Sequence, residues 1–210
     1  MIIIEGKNTP RKDDLQSLRS RFGRLWHFIW EEDSVASWAV NIVLAFVIIK
    51  FIVYPGLGFL LGTSYPIVAV VSGSMEHDGS FDEWWAGQCG EYSQEEWYAQ
   101  EGISKDIFGS FSFRNGFNKG DVMILSSPSA VNRGDVIVFS GGGPDPIIHR
   151  VVRADANSFK TKGDHNCDSS EFEEQVMPEA VFGKAVVRLP YLGWVKLGFL
   201  GMLRAVGITK

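Results

Sequence analysis

The sequence predicts a mainly β domain of antiparallel strands, carried behind one N-terminal transmembrane helix and followed by a short C-terminal interfacial helix. Three observations predict it. The stretch from Val35 to Leu61 is almost wholly apolar, the chain beyond it breaks into short β-branched runs punctuated by Gly, Pro and Asn, and a last apolar stretch of about a dozen residues carries Lys196 and Arg204. With 210 residues, a hydrophobic fraction of 45% and a net charge of −5, the chain has material for one domain plus an anchor. That composition excludes a disordered protein and a nucleic-acid-wrapping one, so no nucleic acid is expected as a partner.

Residues 1–34 form the segment ahead of the anchor. Leu15, Leu18, Phe22, Leu25, Trp26 and Ile29 share one face of an expected amphipathic helix over Leu15 to Trp30, with arginines around it, which suits the inner membrane surface. Arg11, Lys12, Arg19, Arg21 and Arg24 crowd this segment, and positive-inside logic keeps it cytoplasmic. His27 belongs to the same face.

Residues 35–61 form the anchor. Between Trp38 and Tyr54 the run would rise about 25 Å as a helix, close to the hydrocarbon thickness of a bilayer. Lys50 is costly there, at about 2.5–3.5 kcal/mol for a lysine at mid-bilayer, unless its ammonium snorkels to the far headgroups one turn on, near Tyr54. A buried helix of a soluble core would be apolar on one side only, and this run is apolar all round. A cleaved leader would have a shorter apolar core and a small-x-small site. The expectation is a single-pass protein of the cell membrane, in contact with lipid, with everything after Tyr54 on the extracytoplasmic side.

Residues 62–190 carry the strands. The clearest are Ile67–Val71, Val122–Leu125, Val136–Ser140, Ile147–Arg153, Phe159–Lys162 and Val181–Leu189. The near-repeat Lys119-Gly120-Asp121-Val122 and Arg133-Gly134-Asp135-Val136 reads as two strand entries flanking a hairpin through Ser126–Asn132. The stretch from Asp78 to Asn118 is irregular and rich in aromatics. Three roles are open to its tryptophans: a satellite core, a lip dipping into the outer membrane interface, or a substrate wall. Residues 191–210 read as a membrane-interfacial segment, since Val195 to Val206 is too short to span. Cys89 and Cys167 are too few for a disulfide framework and are not spaced as a zinc site, and whether they pair is open.

The chemistry concentrates in three places. Val70-Val71-Ser72-Gly73-Ser74-Met75-Glu76-His77 sets Ser74 after a β-run and a glycine, where its hydroxyl can stand beside free backbone N–H groups. Most serines in such turns only satisfy local backbone groups, and a serine hydroxyl needs a base. His149, on a strand, shares one face with Ile147 and Val151, while Ile148, Arg150 and Val152 share the other. An imidazole among apolar neighbours needs a partner, which can be a mere carbonyl, and its pKa near neutrality suits a base. The third place is Thr161-Lys162-Gly163-Asp164-His165-Asn166-Cys167-Asp168. Its aspartates either cap their own turn or orient the base.

Together with Arg133-Gly134-Asp135-Val136-Ile137-Val138-Phe139, these stretches resemble the ordered motif series of type I signal peptidases, over roughly Trp38 to Trp194. Histidine before Arg-Val-Val is similar to the archaeal and endoplasmic-reticulum branch, where the bacterial branch has lysine. The resemblance implies a signal-peptidase-like antiparallel β catalytic domain, with Ser74 as nucleophile, His149 as base, Asp168 or Asp164 behind it, and Ser72 assisting the oxyanion hole. It implies cleavage of signal peptides of secreted preproteins after small residues, without cofactor or metal, beside the protein translocation machinery. Three departures stand out. His77 replaces a usual proline and is a second possible base, Asp168 comes early for the second family aspartate, and 78–118 is a family-atypical insertion. An anchored protease with another substrate and a catalytically silent module of an export complex are the rival readings.

Overall fold

The apolar run from Val35 to Leu61 is one helix, α1, in the computed structural model, which describes residues 23–24, 26–194 and 198. Its 27 residues extend about 40 Å, long and apolar enough to cross a membrane. Ser34 starts it by accepting the Ser37 N–H at 3.1 Å. Two polar side chains within it find main-chain partners. Ser37 Oγ donates to the Phe28 carbonyl (2.6 Å) and Asn41 Nδ2 to that of Ile29 (2.9 Å), which ties the helical turn at 26–30 to α1. Most of the amphipathic stretch expected over 15–30 lies outside the described residues. At Ile49–Val53 the helix passes through a π turn that contains Lys50, whose Nζ lies 5.7 Å from the Phe46 ring centre and 5.3 Å from that of Phe51.

The chain divides at Tyr54 into two units, 1–54 and 55–210. The second is built on a six-stranded sheet. Its strands are β1 (Ile67–Ala69), β4 (Val122–Ser126), β5 (Val136–Ser140), β6 (Pro146–Ala154), β7 (Phe159–Lys162) and β8 (Val181–Leu189). Between β1 and β4 the chain forms α2 (Phe81–Ala86), a two-stranded ribbon of β2 (Gln88–Cys89) and β3 (Tyr92–Ser93), α3 (Gln94–Gln100) and α4 (Lys105–Gly109). The large sheet runs β1-β4-β8-β5-β6-β7 with every neighbouring pair antiparallel.

This order corrects one expectation. Residues 126–132 do not join a hairpin, because β8 inserts between β4 and β5 and pairs with both. The near-repeat explains how one strand serves two neighbours. Asp121 and Asp135 each cap their own turn by accepting the N–H three residues back, from Asn118 and Asn132 (both 2.8 Å). Each then meets a basic side chain of β8: Arg188 Nε lies 2.7 Å from Asp121 and Lys184 Nζ 3.2 Å from Asp135. Gly120 and Gly134 take φ of +91° and +92°, where a Cβ would also run into the Trp194 and Phe111 rings.

Alternation along β5 buries both faces. Val136 and Val138 join Val70, Met75, Phe117, Met123, Leu125 and Ala185, whereas Ile137 and Phe139 join Val151, Val176 and Val181. Segment 78–118 forms a third core of Trp84, Trp85, Trp97, Tyr98, Ile103 and Phe108 against Val152 of β6. Its three tryptophans are buried, so they are a satellite core and not a lip exposed to a membrane interface. Its helices begin at Ser80, Ser93 and Ser104, and the first two complete capping boxes with Glu83 and Glu96. The expected interfacial helix of 191–210 lies almost wholly outside the described residues.

Candidate active site

Ser74 is held by the burial of its neighbour. Met75 is fully buried in the sheet core, its carbonyl accepts the Phe117 N–H (2.9 Å), and its sulfur accepts the Asp164 N–H (3.4 Å). Upstream, Val70 exchanges main-chain bonds with Asp121 and Gly120 (2.8 and 2.9 Å). The turn between these anchors closes through Glu76 N–H to the Gly73 carbonyl (3.0 Å), and Glu76 Oε1 accepts the Lys119 N–H (2.9 Å). Ser74 is half-buried, and its Oγ lies 3.1 Å from Ser72 Oγ. Its carbonyl accepts the His165 N–H at 2.9 Å.

His149 sits on β6 opposite Ile137 of β5, nearly buried, with its ring edge-on to Phe139. Its Nδ1 lies 2.5 Å from Glu173 Oε1. Its Nε2 faces Gly163: a Cβ there would stand 2.8 Å from His149 Nε2 and 2.7 Å from the Ser74 carbonyl. The Nε2 edge of the imidazole and the Ser74 carbonyl therefore both adjoin a residue that has no side chain.

Glu173 ends the 3₁₀ turn Glu171–Glu173 and is fully buried. Oε2 accepts the Ser170 N–H (3.0 Å) and Oε1 the Thr161 hydroxyl (3.1 Å). Burial works against its ionisation, but the hydrogen bond and charge of His149, with the Ser170 and Thr161 bonds, prevail and leave its pKa below the usual glutamate value. An ionised carboxylate on Nδ1 fixes the proton there and leaves the Nε2 lone pair toward Gly163.

Neither aspartate of the Gly-Asp loop occupies that place. Arg150 is fully buried, and its Nε and Nη2 meet the two Asp164 oxygens at 2.9 and 2.7 Å. Its remaining N–H groups reach the carbonyls of Ser112 (2.7 Å), Gly134 (3.0 Å) and Phe113 (2.9 Å). Asp164 also accepts from Tyr98 (3.1 Å) and meets His77 Nε2 at 3.1 Å. Burial opposes its charge, yet the Arg150 guanidinium and the His77 bond hold its carboxyl well below the usual range. Asp168 accepts the Trp97 indole N–H at 2.8 Å. The reason lies in strand alternation: His149 and Arg150 are consecutive on β6 and point to opposite faces, so a carboxylate paired with Arg150 does not serve His149. The sequence signal for Glu173 was the capping pattern Ser170-x-x-Glu173.

The other histidines are placed elsewhere. His77 stacks on Trp84, with ring centres 3.6 Å apart and planes 6° apart, so its Nε2 is committed to Asp164. Its buried Nδ1 has no hydrogen-bond partner among the described residues. His165 contacts Ser74 through its main chain, while its imidazole is exposed 3.7 Å from Asp78. His27 pairs with Glu31 at 3.3 Å on the surface of the other unit.

No protein-family model matches the chain. The chain is similar to catalytic subunits of signal peptidase complexes. It is 28% identical over 158 residues to the signal peptidase complex catalytic subunit SEC11C of Homo sapiens, a match covering 69% of this chain and 62% of that protein. It is 27% identical over 182 residues to SEC11 of Komagataella phaffii (73% and 83%) and 28% over 124 residues to sec11 of Sclerotinia sclerotiorum (48% and 72%). The match thus spans less than two thirds of the human protein's length. The resemblance to type I signal peptidases read from the motifs is borne out by these relatives.

Proposed function

We propose, from this likeness to catalytic subunits of signal peptidase complexes, that the chain is a membrane-anchored serine endopeptidase that removes signal peptides from exported preproteins. The observation that carries the reading is His149, held by Glu173 on one ring nitrogen, with the other beside Gly163, whose Cβ position also adjoins the Ser74 carbonyl. Ser74 Oγ attacks the carbonyl that follows a small side chain while His149 Nε2 takes the hydroxyl proton, and Glu173 stabilises the imidazolium. Ser72 Oγ is near enough to Ser74 Oγ to assist the oxyanion. Collapse passes the proton from His149 to the leaving amine. Water, deprotonated by the same nitrogen, then frees Ser74.

Among the described residues β1 lies at the sheet edge with β4 as its one strand neighbour, so a substrate can lie extended beside it and gain main-chain hydrogen bonds. The basic N-terminal segment supports a cytoplasmic start, and the bond between Cys89 and Cys167 supports an oxidising, extracytoplasmic side for the sheet unit. Further subunits of an export complex are partners consistent with the relatives' names.

The test is the purified full chain in detergent, mixed with a preprotein bearing Ala at the last signal position and with one bearing a bulky residue there. The Ala substrate is expected to be cut and the bulky one spared. Ser74→Ala should abolish cleavage, and Glu173→Gln should lower kcat by about 10²–10⁴, as loss of an orienting carboxylate does. Equal cutting of both substrates points instead to an anchored protease of other specificity, and no cutting to a silent module.

A further inference from the structure

Five hydrogen bonds and one covalent bond are among the links that tie the 78–118 segment to the loop 162–168. Trp84 Nε1 donates to the Asp164 carbonyl (3.2 Å), Tyr98 to the Asp164 carboxylate (3.1 Å) and Trp97 Nε1 to that of Asp168 (2.8 Å). Gln94 accepts from Lys162 Nζ (2.8 Å) and donates to the Asn166 carbonyl (3.4 Å). The covalent link is a disulfide between Cys89 and Cys167, with their Cα atoms 5.0 Å apart. The other side of the same loop is the active site. His165 N–H holds the Ser74 carbonyl, Asp164 N–H holds Met75, and Gly163 separates Ser74 from His149 Nε2.

We propose that segment 78–118 is a built-in clamp that positions the Ser74–His149 site through this loop, and that the Cys89–Cys167 bond is its lock, so that the bond's redox state sets turnover. The kinetic part rests on the function proposed above. Cys89 and Cys167 are positioning residues, because neither is placed to touch a substrate carbonyl; Cys167 lies two residues beyond His165, whose N–H holds Ser74. The hydrogen bonds are individually weak and reform quickly, whereas the disulfide alone restricts how far the loop and the ribbon β2–β3 can separate. The lock is also reachable. Cys167 is exposed, and Cys89 lines a cleft of about 230 Å³ together with Asp78, Glu83, Trp84, Gln94 and His165. A dithiol opens it in a balanced exchange: its thiolate bonds to one cysteine sulfur and the other cysteine leaves as a thiolate that takes up a proton. The second thiol gives up its proton and attacks the reagent's sulfur in that mixed disulfide, closing a ring and releasing the first cysteine as a thiolate that is protonated in turn. Two electrons thus pass to the protein, and the dithiol ends as a cyclic disulfide.

Hydrogen–deuterium exchange on the full chain in detergent, with and without dithiothreitol, tests the clamp apart from any activity. Amides of 163–168 should exchange on the order of tenfold faster once the bond is open, while β5 stays protected. Unchanged exchange in that loop overturns the clamp. In the cleavage assay, reduction and the Cys89→Ser/Cys167→Ser double variant should each lower kcat about tenfold or more and leave KM within about twofold, since a misplaced nucleophile reacts slowly without binding less. Reoxidation should restore the wild type, and the double variant should ignore dithiothreitol. Full kcat with the bond open, or a change confined to KM, overturns the lock. Should the double variant fail to fold, Trp97→Phe keeps the disulfide and the ring but removes the Asp168 link, and it should raise loop exchange in the same direction. An oxidised wild type that cuts nothing counts against the proposed function, and the exchange measurement still decides the clamp.

Discussion

Lys162 is buried beside the candidate site with no carboxylate within hydrogen-bonding distance among the described residues, and its ammonium is met by Gln94, the Gly163 carbonyl and the rings of Trp97 and Tyr98. Burial pushes its pKa down to about 8, against the partial support of Asp164 and Glu173. The sign of the consequence follows from proton counts. Below about pH 8 both folded and unfolded chains hold the proton and the fold bears a constant penalty. Between about 8 and the unfolded value near 10.4 the unfolded chain holds more protons, so stability rises with pH. The stability of the wild type relative to Lys162→Met should therefore improve by about 3 kcal/mol between pH 7.5 and 10.5. Urea titrations in detergent at the two pH values measure it, and a difference that stays flat across the window contradicts it. The same scale explains the exchange of one carboxylate for another at His149. Its partner was decided by which acids Arg150 and Trp97 had already claimed, and that competition is between residues distant in sequence.

At the scale of elements, the two Gly-Asp turns organise the centre of the sheet. Each opens a strand, caps itself with its aspartate and presents that aspartate to β8. The second turn does more, because the Gly134 carbonyl accepts from Arg150 and its N–H donates to the Val151 carbonyl (2.8 Å). A side chain there must both tolerate φ +92° and displace the Phe111 ring. Gly134→Ala is expected to cost about 1–3 kcal/mol from backbone strain and more from the ring. Gly142, at φ +82° with open space around its Cβ position, is the control that bears the strain alone. Urea denaturation should rank Gly134→Ala well below Gly142→Ala; equal losses would remove the packing part of the argument.

At the scale of the whole molecule, a helix long and apolar enough to cross a membrane precedes a sheet unit with its own cores and disulfide. The full chain should resist carbonate extraction from membranes. A chain lacking residues 1–54 should be released, because that cut removes most of the apolar helix; retention in the washed pellet would show that the sheet unit is itself embedded. Much of this was legible in the residues. The anchor, six strands with bounds within two residues, and the opposite pointing of His149 and Arg150 all follow from local hydropathy and from period-two alternation, which each segment carries within itself. The Ser-x-x-Glu caps of α2 and α3 are equally local. Strand order, the pairing of Cys89 with Cys167, and Glu173 in place of Asp164 or Asp168 depend on which distant segments meet. Ser74 and His149 were named by the sequence, since their chemistry and motif neighbours are local. The carboxylate behind the histidine was left to the tertiary structure, because a buried charge goes to whichever partner the packed chain brings within reach.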